Sequence, residues 1–106
     1  MDVTGGGGKL VRDRIPEIIE ASGGQPNTVV IQGQELLDAL HAKLDEEAAE
    51  VHGASAQGIA EEIADVLEVL RALAGWHGIT WDQIEAHRVA KKRDRGGFDR
   101  GIWLFG

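Results

Sequence analysis

Two long stretches of the chain repeat their apolar side chains every three or four positions. From Gln34 to His52, Leu37, Leu40, Leu44, Ala48 and Val51 fall on one stripe; from Gln57 to His77, Ile59, Ile63, Val66, Leu70 and Leu73 fall on another. That spacing matches the 3.6-residue turn of an α-helix rather than the two-residue repeat of a strand. Gly53 and Gly58 bracket a turn containing Ser55, so the two helices must run antiparallel. A third helix starts at a capping box, Thr80 with Gln83, and should end near Arg95, ahead of Gly96-Gly97. A short helix is expected over Ile15–Ala21, with Pro16 in its first turn and Gly23 beyond its end. The β-branched Thr28–Gln32 stretch can be extended but is too little for a sheet.

The fold class that follows is all-α: a helical bundle built on an antiparallel helical hairpin plus a third long helix. Three helices of this length leave apolar surface uncovered, so the bundle is expected to be completed by oligomerisation, as a homodimer or a higher even assembly. The tail Phe98–Gly106 carries Phe98, Ile102, Trp103, Leu104 and Phe105 and should dock on something. Trp76, Trp81 and Trp103 are expected in the core or at the dimer interface.

At 106 residues the chain fits one domain, and its 42% apolar content argues against disorder. We assign 1–8, with its Gly5–Gly8 run, to a flexible tail and 9–106 to the domain. There is no cysteine, hence neither disulfide nor thiolate metal site, which suits a reducing cytoplasm. No apolar run approaches the length needed to span a membrane, and the first residues lack the plan of a signal peptide. The formal charge of −7 argues against a protein that coats nucleic acid.

Where the charge lies matters more than its sum. Between Leu44 and Leu70 stand Asp45, Glu46, Glu47, Glu50, Glu61, Glu62, Asp65 and Glu68, with no Lys or Arg among them. For a turn centred near residue 56, Glu50 faces Glu62 and Glu47 faces Asp65. Each pair on one helix is spaced i, i+3 and so shares a face. Turning by about 100° per residue, these four border the apolar stripes, whereas Asp45, Glu46, Glu61 and Glu68 point away. Four carboxylates at a helix seam repel one another and lose hydration. Lys43 and Arg71, the nearest cations, cannot neutralise all four. A hard divalent ion can, and oxygen-only ligands select magnesium, manganese or calcium.

A basic stretch follows on the third helix. Lys91, Lys92, Arg93 and Arg95 exceed what complementing a helix C-terminus requires, and a phosphate-binding edge accounts for the excess. Lys43, one turn before Glu47, either contacts phosphate or screens the acids. Lys9, Arg12 and Arg14 are placed either for substrate or for salt bridges with Asp13 or Glu17. The run Gly5–Gly8 before Lys9 is not a phosphate loop: no Ser or Thr follows the lysine and no strand precedes it.

The motif Glu46-Glu47-x-x-Glu50, then Glu62-x-x-Asp65 after eleven intervening residues, resembles the signature of the MazG-like all-α nucleoside triphosphate pyrophosphohydrolase superfamily. Lys9-Leu10-Val11-Arg12-Asp13-Arg14-Ile15-Pro16-Glu17-Ile18-Ile19 and Arg95-Gly96-Gly97-Phe98 are similar to a branch described as phosphoribosyl-ATP pyrophosphohydrolase-like, or house-cleaning pyrophosphatase. The resemblance implies magnesium-dependent cleavage of a nucleoside triphosphate, canonical or not, to the monophosphate and pyrophosphate, with manganese as an alternative ion. It makes Glu47, Glu50, Glu62 and Asp65 the metal ligands and either Glu47 or Glu46 the general base. Lys43, Lys91, Lys92 and Arg95 are then the candidate substrate-binding residues. Two rival readings are a catalytically weak nucleotide-binding or regulatory module, and a phosphoribosyl-ATP pyrophosphohydrolase of histidine biosynthesis.

Overall fold

The structure, a computed structural model, describes residues 7–106, so most of the tail assigned to 1–8 lies outside the described residues. The described chain is all-helical: α1 (Ile15–Ala21), α2 (Gly33–Gly53), α3 (Ile59–Trp76) and α4 (Trp81–Arg95), with no strand. Thr28–Gln32 is neither helix nor strand. The chain forms two compact units, one reaching Leu73 and the other running from Ala74 to Gly106.

In the first unit α1 begins with Pro16 in its opening turn, where a missing N–H costs nothing. It stops at Gly23, whose φ of +91° disfavours an L side chain. Gly24 then passes so close that a Cβ would come within 2.7 Å of Ile19 Cγ2. The backbone N–H of Gly24 donates to the Ile19 carbonyl at 3.0 Å, closing the end of the helix.

Helices α2 and α3 form the expected hairpin. Ala54–Gly58 link them, and Ser55 organises that turn: the Gly58 N–H donates to Ser55 O at 3.0 Å and to Ser55 Oγ at 3.3 Å. The apolar stripe of α2 turns inward as its spacing predicts, with Ala39 and Leu40 buried and Leu37, Leu44, Ala48 and Val51 half-buried.

On α3 the stripe is rotated from the expected one. Val69 is buried and Ile59, Val66 and Leu73 are half-buried, but Ile63 keeps 54% of its surface exposed and Leu70 39%. Ile63, Leu67 and Leu70 all lie in the open. The helix is apolar on more than one side, and periodicity alone cannot tell which apolar side a single chain covers.

In the second unit Thr80 and Gln83 close the capping box as expected. Thr80 Oγ1 accepts from the Gln83 N–H at 3.2 Å, and the Thr80 N–H donates to Gln83 Oε1 at 2.8 Å. Arg88 pairs with Glu85 and holds its carboxyl below the usual range, chiefly through their hydrogen bond. Gly96, at φ +82°, ends α4. The expected docking of the apolar tail is not seen among the described residues of its unit: Phe98, Ile102, Trp103, Leu104 and Phe105 are all largely exposed. Trp103 is therefore not a core residue; Trp76 is partly exposed and Trp81 half-buried.

Leu40→Ala should cost about 2–5 kcal/mol, because it opens a hole beneath a side chain only 5% exposed. Thr80→Ala should cost about 1 kcal/mol through the lost cap. Urea unfolding of both variants measures this, and the larger loss is expected for Leu40.

Candidate metal centre

Near the hairpin turn, acids from both helices meet. One carboxylate oxygen from each of Glu47, Glu62 and Asp65 lies within 4.8 Å of the others, and all three residues are half-buried. Their i, i+3 and cross-hairpin spacing accounts for the meeting: α2 and α3 present them at the same height beside the apolar seam. Asp45, Glu46, Glu61 and Glu68 are exposed, as their helical angles require. Glu50 is exposed and stands outside this group of three. Its charge still reaches the site, because it is one of those acting on Glu62.

The electrostatic cost is visible at Glu62. Its carboxyl titrates above the ordinary glutamate value, first because it is partly desolvated, then because of the charges of Asp65, Glu50, Glu47 and Glu61. No positive charge figures among the groups that shift it. The other two acids are each held by a cation. Arg12 Nη2 donates to Asp65 Oδ1 at 2.7 Å. Lys43 Nζ stands 3.4 Å from Glu47 Oε1 and 3.5 Å from Glu46 Oε1. Lys43 thus stands beside the acids, where the two roles foreseen for it, screening them or contacting phosphate, both place it. Arg14 pairs with Glu17, one of the two partners foreseen. Arg12 crosses 53 residues of sequence to reach Asp65, and no periodicity signals such a contact.

A hard dication suits this donor set. Oxygens sharing one magnesium at about 2.1 Å stand about 3–4 Å apart, so small side-chain rotations bring three oxygens already within 4.8 Å onto one ion. All donors are carboxylates, with neither thiolate nor imidazole. The basic residues Lys91, Lys92 and Arg95 occupy the last turns of α4, all exposed, in the second unit.

An antiparallel helical hairpin carrying clustered acids defines a class of small all-α proteins suited to holding a divalent ion. The sequence model of the phosphoribosyl-ATP pyrophosphohydrolase family matches residues 12–92, and the chain belongs to that family, within the MazG-like superfamily. The family's chemistry is hydrolysis of a phosphoric anhydride bond. An uncharacterized protein of Mycolicibacterium smegmatis is 50% identical over 54 residues, which cover 51% of this chain and 55% of that relative. The matched stretch thus spans about half of the relative's length. No solved structure matches the chain.

The raised pKa has a stability consequence of definite sign. The metal-free fold binds a proton at Glu62 more readily than the unfolded chain does, so this contribution favours folding at acid pH. It is lost as pH rises through the raised value. In chelator at neutral pH, Glu62→Gln should therefore melt above the wild type, and the difference should vanish below the carboxylate range. With magnesium at a hundred times its dissociation constant the wild type should gain about 2.7 kcal/mol, and Glu62→Gln much less. Thermal melts across pH, with and without magnesium, check both expectations.

Proposed function

We propose that this chain is a magnesium-dependent nucleotide pyrophosphohydrolase. It cuts the bond between the α- and β-phosphates of a nucleoside triphosphate. One water is consumed, and a nucleoside monophosphate, pyrophosphate and a proton are released. The observation that carries this reading is the convergence of Glu47, Glu62 and Asp65 from two helices, with the Glu62 charge left uncompensated. The family match supports the reaction class. In this reading Glu47, Glu62 and Asp65, joined by Glu50 after a side-chain rotation, hold the ion. When bound, the ion neutralises phosphate charge and lowers the pKa of a water.

Glu46 is the better of the two candidate bases. Glu47 is only 12% exposed and belongs to the acid group, and a carboxylate that coordinates a metal ion is a poor proton acceptor. Glu46 lies next to it in sequence, is 45% exposed and stands outside that group. It can take the proton from the attacking water. Lys43, within 3.5 Å of both Glu46 and Glu47, is proposed to meet a phosphate oxygen. Lys91, Lys92 and Arg95 are proposed as a further phosphate-binding edge on α4. The exposed Ile63, Leu67 and Leu70 support a homodimer or a higher even assembly. No helix among the described residues is long and apolar enough to cross a membrane. The absence of cysteine supports the cytoplasm as compartment.

The name of the matched family favours a second substrate, phosphoribosyl-ATP, whose cleavage follows the same bond logic. A panel of canonical and modified nucleoside triphosphates together with phosphoribosyl-ATP, assayed for pyrophosphate release with magnesium or manganese, separates these readings. Nucleotide binding without turnover across the whole panel would instead identify a regulatory module. Glu47→Gln should lose metal binding and more than about a hundredfold in rate, beyond what outer-shell partners cost. Glu46→Gln should lose a comparable rate while binding the ion normally. Calorimetry with manganese beside the rate assay distinguishes the two roles.

A further inference from the structure

A cavity of about 630 Å³ opens in the first unit, lined by residues 8–13, residues 27–31 and the Leu36–Glu46 part of α2. Its walls are mixed. Leu10, Val29, Ile31 and Leu36 supply apolar surface, and Asn27 and Thr28 supply polar groups. Nothing in the metal chemistry uses this space, yet it adjoins the acid centre through three shared side chains. Arg12, Lys43 and Glu46 all line the cavity. Arg12 is also the partner of Asp65, and Lys43 the partner of Glu47 and Glu46.

The cavity lies within the size range of small-molecule sites and combines an apolar body with a few convergent polar groups. Two cations at the acid-centre end add a preference for a ligand with an anionic head. A flat, largely apolar ring system joined to phosphate has that form. We infer that this cavity seats the base and sugar of the nucleotide and that Arg12 binds its phosphate, an assignment that rests on the hydrolase reading above. The two ion pairs supply the means. With Asp65 and Glu47 committed to an ion, Arg12 and Lys43 would lose those partners, and their cationic heads would become available to phosphate oxygens. Arg12, 57% exposed, has the freedom to turn, and its planar fork matches two phosphate oxygens at once. The conversion is an exchange of ion-pair partners and moves no proton. Arg12 then holds the substrate where Glu46, on the cavity's edge, reaches the attacking water.

The test uses the full chain, isotope-labelled for NMR and titrated with AMP, GMP, CMP and UMP in the presence of magnesium. Amide shifts should concentrate in 8–13, 27–31 and the Ala39–Glu46 part of α2. Ala42→Trp fills the cavity from an exposed helix position, and Thr28→Trp fills it from the opposite wall. Each should weaken nucleotide binding at least tenfold while manganese binding stays at the wild-type level. Arg12→Gln should raise the Kd of a non-hydrolysable α,β-methylene triphosphate at least tenfold, with partial recovery in Arg12→Lys. Shifts confined to other segments, or wild-type affinity in both tryptophan variants with fold and manganese binding intact, overturn the assignment. The two readings fail separately. Shifts in these segments without any pyrophosphate release would sink the hydrolase reading and uphold the cavity as a nucleotide seat; turnover with unaffected cavity variants would sink the cavity alone.

Discussion

Mutual repulsion among Glu47, Glu62 and Asp65 is the constraint around which the first unit is arranged. Three partly buried carboxylates within a few ångströms of one another are costly in a chain that has little core to spare. The hairpin could have avoided the cost with alanine or glutamine at these positions, at no loss of helix-forming tendency. Instead it meets part of it with Arg12 and Lys43 and leaves Glu62 facing its neighbours with a raised pKa. The metal ion proposed above would supply the positive charge that offsets this cost.

The rest of the unit serves that geometry. Leu40 and Val69 bury the seam that sets the two helices against each other, and Ser55 closes the turn that sets their height. Arg12 ties the segment before α1 to α3. One guanidinium therefore links three things: an acid of the centre, the residues that wall the cavity, and the chain entering the first helix. Ion pairs exposed to this degree contribute little to stability. In the proposed reading they hold charges ready for an exchange that magnesium would start and a phosphate would complete.

Much of this was legible in the amino-acid order because helical periodicity is a local property. The four helices, the turn near Ser55, the capping box at Thr80 and the exposed Asp45, Glu46, Glu61 and Glu68 all follow from spacing along the chain. What spacing could not supply was non-local. Arg12 finds Asp65 across 53 residues, and only the folded chain brings them together. The exposure of Ile63 and Leu70 escaped for a related reason: an apolar stripe announces that it wants cover, without naming which element provides it. The exposed tail with Trp103 repeats the point. Glu50 shares a helix face with Glu47, yet it lies one turn closer to the Ala54–Gly58 connection, and its side chain is exposed. Its place as a ligand depends on a rotation that helical geometry permits but does not dictate.

Direct observation of the ion tests the central claim. Crystals grown with manganese, measured on both sides of its absorption edge, should give an anomalous peak bonded to oxygens of Glu47, Glu62 and Asp65, with Arg12 and Lys43 turned away from their present partners. Well-ordered carboxylates that remain in their ion pairs, with no anomalous density among them at millimolar manganese, would contradict the account.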